Sequence, residues 1–312
     1  MTVWLQSATP HRGPRRPDQQ YDDVADASAS LVIRSYSSSF GLASRLLAPD
    51  VRVDVRNVYA LVRVADEIVD APRPDSTPAD QLAALDALEA EVAGATASGS
   101  SANLVVHAFA RTARRCGIGA DLTGPFFASM RTDVERTVHD EESLAVYVHG
   151  SAEVVGLMCL RAFLADEPRA AEQYALLSAG AQRLGAAFQK VNFLRDLGED
   201  GDLLGRTYLV GLDPRDPDER AWRRWLDDVD ADLTAAASAV TALPRSSRLA
   251  VCTAHDLFAE LSARLRRTTA AEACAQRVRV PGPVKARLAA RALLADGRPR
   301  RVGAAGAAGA AA

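Results

Sequence analysis

The sequence contains few features that would predict disulfide bonds or a membrane anchor. Only four cysteines occur among 312 residues, and none of them forms a CxxC pair, so a disulfide framework is not indicated. No run of 18 apolar residues is present, so no transmembrane helix is expected. The N-terminus also lacks the apolar segment of a secretory signal. These absences predict a cytoplasmic protein with reduced, buried thiols.

The motifs of several enzyme classes are missing as well. The net charge is −3, and nothing in this balance indicates a nucleic-acid partner. There is no GxxxxGK[ST] and no GxGxxG after a strand, so neither a P-loop nor a nicotinamide-binding Rossmann site is predicted. The five histidines supply no HExxH motif and no Glu-x-x-His pair, which a di-iron carboxylate bundle would need.

Both ends of the chain lack a pattern that could form a core. Residues 1–18 mix Pro, Gly and Arg without periodicity, and residues 297–312 end in a Gly/Ala repeat. We therefore predict two disordered tails around a single domain at residues 19–296. A basic tail could give peripheral contact with an anionic membrane, although the composition favours a solvated tail. The sequence does not indicate an oligomeric state.

The region between the tails predicts helix after helix. Ala and Leu are abundant, and strict apolar–polar alternation is scarce, so we predict an all-α domain of packed helices. Residues 71–80 end in Thr77, Pro78 and Asp80, which predict an N-cap, a proline at the first helical position and an acid in the first turn. Further breaks are expected at 211–218 and 281–283, and a helix is expected to begin at Asp140.

Two aspartate pairs stand out within apolar helical segments. Asp66 and Asp70 follow Tyr59 and Arg63, and Asp196 and Asp200 follow Gln189, Asn192 and Arg195. The DxxxD spacing alone is weak evidence, because it also occurs at Asp18/Asp22, Asp22/Asp26, Asp50/Asp54 and Asp228/Asp232. In the two special segments, the polar residues fall within arcs of about 60° and about 80° of a helix, between apolar flanks. Such stripes suit two buried helices that face each other across a cavity.

Carboxylates crowded on one face of a helix indicate a divalent metal site. Unpaired, they would repel each other in a cavity, whereas Mg²⁺ prefers oxygen ligands and bridges carboxylates to substrate phosphates. The neighbouring Arg63 and Arg195 would then serve phosphate oxygens. The alternative is that both arginines only neutralise the acids as salt bridges.

These residues resemble the squalene/phytoene synthase family over roughly 35–287. The similar segments are Ser37-Ser38-Ser39-Phe40, Tyr59 to Asp70, Tyr147 to Met158, Gln189 to Asp200, and Gly205 to Leu209. The second aspartate motif is intact as Asn-x-x-Arg-Asp-x-x-Glu-Asp. Two ordered motifs with matching neighbours make the resemblance far more specific than a single DxxxD.

The resemblance implies an isoprenoid synthase class I fold, in which helices surround a central cavity. It implies Mg²⁺, or Mn²⁺, held by Asp66, Asp70, Asn192, Asp196 and Asp200. The implied diphosphate contacts are Ser37, Ser39, Arg63, Arg195 and Arg206, and the residues implied at the reacting end are Tyr59, Phe40 and Gln189. Tyr147 and Tyr208 are implied as further substrate-binding residues. Aromatic rings such as Phe40, Phe188, Phe193 and Tyr208 either stabilise a carbocation or simply pack.

The implied activity is a prenyltransferase that joins two isoprenoid diphosphates head to head without NADPH. The expected product is phytoene from two C20 geranylgeranyl diphosphates, because Gly41 and Ala43 leave room for a long tail. A presqualene diphosphate, squalene or dehydrosqualene synthase that uses C15 substrates is the alternative, and a non-catalytic relative is a further one. Three positions depart from the family pattern, namely Glu153, Val210 and Phe258.

Overall fold

The computed structural model describes residues 17–71, 73–199 and 206–302; within this range the side chains of residues 17, 38–40 and 199 are not described. The described residues form α-helices and one π-helical turn, which confirms the predicted all-α class. The elements are α1 Pro17–Tyr36, α2 Ser38–Ser44, α3 Pro49–Asp70, α4 Pro78–Ser98, α5 Leu104–Cys116, α6 Ala120–Glu135, α7 Glu141–Val148, a π turn His149–Glu153, α8 Val154–Leu164, α9 Ala170–Glu199, α10 Glu219–Ala242, α11 Arg245–Leu265, α12 Ala270–Ala275 and α13 Gly282–Leu294.

The predicted helix starts are confirmed by their caps. The Thr77 hydroxyl accepts from the Asp80 amide and the Asp80 carboxylate accepts from the Thr77 amide, which forms a capping box around Pro78. Asp140 caps α7 through a reciprocal pair with Ser143. The breaks at 71–80, 211–218 and 281–283 all separate helices.

The helix that begins after Asp140 is interrupted by the π turn at His149–Glu153, which the sequence did not predict. A side chain at Gly150 would place its Cβ 2.2 Å from the Pro125 carbonyl oxygen of α6. A Cβ at Gly185 of α9 would lie 2.5 Å from the Ala152 carbonyl oxygen. Close backbone approaches therefore clamp the π turn between α6 and α9.

Two main hydrophobic clusters build the interior. One surrounds Trp222 and joins α9, α10 and α11. The other surrounds Phe109, Phe126 and Phe127 and joins α3, α5, α6 and α8. Helices α3 and α9 belong to opposite clusters, so a space between the clusters has one aspartate-bearing helix on each side.

The stretch Glu141–Leu164 is long and apolar enough to cross a membrane by length and composition. Half of its most apolar window is buried inside the protein, as expected for a core helix. None of the four cysteines, all of which the structure describes, forms a disulfide. Residues 297–302 extend past α13, where the Arg300 amide donates to Asp256 at 2.9 Å. The rest of the two predicted tails, 1–16 and 303–312, lies outside the described residues.

Candidate active site

An apolar cavity of about 290 Å³ lies between the two clusters. Its walls come from α2, α3, the π turn, α8, α9, α10 and α11. Tyr59 of α3 and Gln189 and Asn192 of α9 line its polar end, one to two turns before Asp66 and Asp196 respectively. The predicted arrangement of the two motif helices on opposite sides of one cavity is therefore confirmed.

Large side chains line the apolar end of the cavity. Phe163, Leu177 and Leu243 line it there, and leucines of the same region form a small buried cluster. Phe188 and Phe258 stack with their ring centroids 3.8 Å apart and also line the wall. The departure at Phe258 therefore places an aromatic ring without a hydroxyl against the cavity.

Asp66 forms the acidic edge of the polar end together with Asp70. Its nearest cation is Arg63, whose Nη1 lies 4.0 Å from the Asp66 carboxylate. Although 30 % of the Asp66 side chain remains accessible, the surrounding protein atoms and the Asp70 charge raise its pKa to about 7. Asp66 is therefore a carboxyl group whose negative charge the protein does not neutralise.

Arg63 forms its shortest contact with Glu67 rather than with Asp66. Its Nη2 donates to the Glu67 carboxylate one turn later, and its guanidinium carbon lies 4.5 Å from the centroid of the Tyr36 ring. Tyr59, four residues earlier, hydrogen bonds with the Ser37 side chain, and burial raises the pKa of its phenol. Ser37, Tyr59 and Arg63 therefore lie together beside the acidic edge, as the resemblance implied.

Asp70 is part of a buried polar network that includes Arg206 and Asp133. Arg206 is only 8 % exposed and donates from Nη1 to the Asp70 carboxylate at 2.7 Å and from Nη2 to the Val69 carbonyl at 3.0 Å. The same guanidinium lies 4.0 Å from the buried Asp133. The segment that carries Arg206 is fixed by a 2.7 Å hydrogen bond from the Thr207 amide to the Thr137 carbonyl.

Asp133 of α6 is the centre of this network, and the sequence reasoning missed it. It accepts from the hydroxyl groups of Tyr147 at 2.8 Å and Tyr208 at 2.9 Å, and burial raises its pKa to about 6. The sequence pattern could have indicated it, because Asp133 lies at helical spacing from the apolar residues Leu122, Phe126 and Met130, which are buried on α6.

Tyr147 and Tyr208 belong to an aromatic stack rather than to the cavity wall. Phe193 stacks on Tyr208 at 4.2 Å, and His139 stacks on the other side at 5.8 Å. Both tyrosines are almost fully buried, and burial raises the pKa of each phenol. The structure therefore places these two predicted substrate-binding residues behind the acidic edge.

In the α9 motif, the negative charge of Asp196 is neutralised by neighbouring cations. Arg195 donates to the Asp196 carboxylate through Nε at 2.8 Å and through Nη2, and Arg277 Nε lies 2.9 Å from the same carboxylate. Lys285 is close enough that the Arg195 charge, after burial, lowers its pKa. Two positive side chains thus contact Asp196 and a third, Lys285, lies near Arg195; of these three the sequence predicted only Arg195.

Some predicted residues lie outside what the structure describes. These are Asp200 and the side chains of Ser39 and Phe40. Among the described residues, no group of three or more His, Cys, Asp or Glu side chains is placed so that it could hold a metal by itself. Of the other departures, the Glu153 carboxylate forms a hydrogen bond with His149 Nδ1 at 2.9 Å, and the Val210 carbonyl accepts from Trp225 Nε1 at 3.1 Å.

The comparison with known proteins decides the family. Residues 33–283 match the profile of the family described as squalene/phytoene synthase. The chain belongs to the squalene/phytoene synthase family. Members of this family are prenyltransferases of the head-to-head isoprenoid synthase type.

Curated relatives of this family include phytoene synthases. The chain is 31 % identical over 205 residues to phytoene synthase 3 of Zea mays, a match that covers 65 % of this chain and 46 % of the maize protein. It is 31 % identical to the phytoene synthase of Mycobacterium tuberculosis, covering 64 % of this chain and 61 % of that one. For the phytoene synthase of Rhodobacter capsulatus the identity is 31 %, over 74 % of this chain and 70 % of the relative. The match thus spans about half to two thirds of the length of these relatives.

Solved structures confirm the isoprenoid synthase fold. A dehydrosqualene synthase in complex with ligand superposes with a TM-score of 0.76 at 21 % identity, over 90 % of this chain and 100 % of that chain. A squalene synthase from Alicyclobacillus acidocaldarius gives a TM-score of 0.67 at 21 % identity, over 81 % and 96 % of the two chains.

Proposed function

We propose that this chain condenses two molecules of geranylgeranyl diphosphate head to head into phytoene, through a cyclopropyl diphosphate intermediate. The observation that carries this proposal is an apolar cavity that is bordered at its polar end by acids on α3 and by Asp196 and cations beside α9. An apolar cavity suits a prenyl tail, and the charged border suits a diphosphate with its counterions. The phytoene synthases among the relatives support the same activity.

The side chains at the charged border suit a hard divalent cation. Asp66 and Asp70 offer carboxylate oxygens, and their crowding raises the Asp66 pKa, a cost that a bound cation would remove. We infer that Mg²⁺, or Mn²⁺ in its place, is held by Asp66 and Asp70 on α3 and by Asn192, Asp196 and Asp200 of the α9 motif. When bound, the metal would stabilise the negative charge of the departing diphosphate.

The cations of this chain complete the diphosphate site. Arg195 and Arg277 contact the Asp196 carboxylate, and Lys285 lies near Arg195. Guanidinium groups pair well with phosphate oxygens. We therefore assign these three side chains to diphosphate binding, with Ser37, Tyr59 and Arg63 on the opposite side.

The walls of the cavity protect the reaction from water. When the first diphosphate leaves, the double bond of the second substrate attacks the allylic carbon, and loss of a proton closes the cyclopropane. Departure of the second diphosphate, rearrangement and loss of another proton then give the central double bond, so no hydride from NADPH is needed. Apolar walls keep water from trapping the cations, and the stacked rings of Phe188 and Phe258 present aromatic faces to the cavity. A released diphosphate oxygen would serve as the base.

The preference for a C20 substrate rests on the small Ala43. Ala43 is buried and lines the cavity beside Leu47 and Tyr59, so this wall leaves room for a longer tail. Gly41, the other small residue considered, is not part of the cavity wall. Two alternatives remain for the test to distinguish. One is the C15 reaction to presqualene diphosphate, squalene or dehydrosqualene, and the other is that the chain is a non-catalytic relative.

The test is an assay of the purified protein with C15 and C20 diphosphates, each with and without NADPH, in Mg²⁺ buffer. We expect phytoene from the C20 substrate, unchanged by NADPH, and we expect Ala43→Leu to reduce C20 turnover more than C15 turnover. Preference for C15, accumulation of a cyclopropyl diphosphate, or squalene formed only with NADPH would contradict the phytoene assignment. Absence of any product with all four combinations would favour the non-catalytic alternative. We place the reaction in the cytoplasm.

A further inference from the structure

Four arginines converge on the outer side of the first half of α3. Arg52 and Arg56 lie one turn apart on α3, Arg45 follows α2 directly, and Arg34 lies near the end of α1. Arg52 Nη2 donates to the carbonyl of Arg45 at 2.9 Å and to that of Leu47 at 2.7 Å. These contacts fix Arg45 beside Arg52.

Arg56 is fixed in turn against α1. Its Nη1 donates to the Ser30 hydroxyl at 3.3 Å, and Ser30 lies one helical turn before Arg34. Arg34 and Arg45 are exposed, whereas Arg52 and Arg56 are partly buried. Two anchored guanidinium groups therefore form the floor of the cluster, and two exposed ones form its rim.

No carboxylate neutralises these charges within the part of the chain that the structure describes. The charges that act on Arg56 are those of Arg52, Arg34 and Arg45, all of them positive, and together with burial they lower its pKa. The Nε atoms of Arg52 and Arg56 are buried without a hydrogen-bond partner. By contrast, Arg115 of the neighbouring α5 pairs with both Asp54 and Asp166.

Four like charges that lack a counterion destabilise the protein unless an anion joins them. A guanidinium group offers a fork of donors that matches phosphate oxygens. We propose that Arg34, Arg45, Arg52 and Arg56 bind a phosphate-type anion on the outer face of α1, α2 and α3. The site is separate from the acidic edge, because Arg56 precedes Asp66 by ten residues, or about 15 Å of helix.

Two sources can supply this anion, a phospholipid headgroup or a free phosphate or diphosphate. Leu31 on α1, three residues before Arg34, is 60 % exposed. A bilayer surface would engage such an apolar side chain together with the arginines, whereas a small anion would engage the arginines alone. The two sources therefore differ in an observable way.

The test compares the wild type with Arg34→Gln/Arg45→Gln. Both side chains are exposed and make no side-chain hydrogen bond within the described residues, so the fold is expected to remain intact. The matched control is Arg220→Gln/Arg267→Gln, which removes two exposed arginines elsewhere. One arm measures sedimentation with vesicles of phosphatidylcholine alone or with added phosphatidylglycerol. The other arm titrates inorganic phosphate and diphosphate by calorimetry without Mg²⁺, which keeps the metal site out of the measurement.

We expect the double variant to bind about tenfold or more weakly in at least one arm, with the control within twofold of the wild type. Loss with anionic vesicles identifies a lipid headgroup, and loss with the soluble anions identifies a free phosphate. Arg34→Lys/Arg45→Lys should retain most of the binding. The proposal is overturned if the wild type binds neither ligand, if the double variant binds as the wild type does, or if the control loses as much.

Discussion

The two halves of α3 carry the same DxxxD spacing in opposite electrostatic settings. In the first half, the buried Asp54 accepts from the Thr112 hydroxyl at 2.9 Å and pairs with Arg115 of α5. In the second half, the nearest cation to Asp66 is Arg63 at 4.0 Å, and Arg63 donates to Glu67 instead. The first carboxylate is part of the scaffold, while the second keeps an uncompensated charge. The lack of a short ion pair at Asp66, rather than the DxxxD spacing, therefore distinguishes Asp66 from Asp54.

On the α9 side of the cavity, the aspartates of the background pair and of the motif are both paired with cations. The buried Asp232, which belongs to a background DxxxD pair, is neutralised by Lys190 at 2.8 Å and Arg183 at 3.0 Å. Asp196 of the second motif is also paired, with Arg195 and Arg277. Under the proposed metal site, Asp66 on α3 could bind a cation without losing a short ion pair, whereas Asp196 on α9 would first have to give up its contacts with Arg195 and Arg277.

The largest expected effect is the loss of turnover when Asp66 is changed. Asp66→Asn should lower kcat by about a thousandfold or more, because it removes a metal ligand from the charged border. The melting temperature of the metal-free protein should stay the same or rise, since the change relieves repulsion with Asp70. Steady-state kinetics and circular dichroism measure both. Turnover within tenfold of the wild type in a folded variant would rule out the metal assignment.

Asp196→Asn sharpens the contrast between the two borders. We expect a similar loss of turnover, but here the melting temperature should fall slightly because the ion pairs with Arg195 and Arg277 are weakened. Thermal unfolding without metal measures this difference between the two variants. Equal stability changes for Asp66→Asn and Asp196→Asn would show that the borders are not electrostatically different.

Asp54→Asn should lower the stability of the protein and leave turnover nearly unchanged, the opposite of what is expected for Asp66→Asn. It weakens a buried ion pair, which costs 3–5 kcal/mol when both partners are buried; we expect about 2 kcal/mol because Arg115 is 38 % exposed. The value of kcat should stay close to that of the wild type. Urea unfolding and steady-state kinetics measure the two quantities. An unchanged free energy of unfolding together with lost activity would reverse the roles that we assign to the two halves of α3.

A smaller effect is expected where the acidic edge is held in place. Arg206→Gln breaks the contact with Asp70 and leaves Asp133 without its cation, so kcat/KM should fall by about ten- to a hundredfold. Binding of Mg²⁺ with diphosphate should weaken in parallel, which a purely global loss of stability would not produce. The control is Arg136→Gln, which changes an exposed arginine directly after α6, the helix that carries Asp133. It should leave kcat/KM and the binding of Mg²⁺ with diphosphate unchanged.

The smallest expected effect is on the pH dependence of stability. The pKa of Asp66 is raised to about 7 in the folded protein, so the folded state binds more protons than the unfolded state between about pH 4 and pH 7. The free energy of unfolding of the metal-free protein should therefore fall as the pH rises through this window. Asp133, whose pKa is raised to about 6, acts in the same direction. Asp66→Asn should make the slope shallower, as urea unfolding with a chelator present would show; an unchanged slope would contradict the raised pKa.

The sequence predicted the local features of this protein well. The N-cap at Thr77, the break before α13 and the placement of Asp66, Asp70 and Asp196 on helices are confirmed, because these depend on short-range patterns. The sequence did not reveal that Arg115 neutralises Asp54 from 61 positions away, that Asp133 supports Arg206, or that Arg277 contacts Asp196. Such partners depend on how helices pack, and no short-range pattern encodes them.

The most direct test of the account is a calorimetric titration of Mg²⁺ and diphosphate. The described residues supply too few ligands to fill an octahedral shell without phosphate oxygens. We therefore predict that each ligand binds weakly alone and that each strengthens the binding of the other. Asp66→Asn should abolish this coupling, while Asp54→Asn should retain it. Tight Mg²⁺ binding without diphosphate, or coupling that survives in Asp66→Asn, would contradict the account.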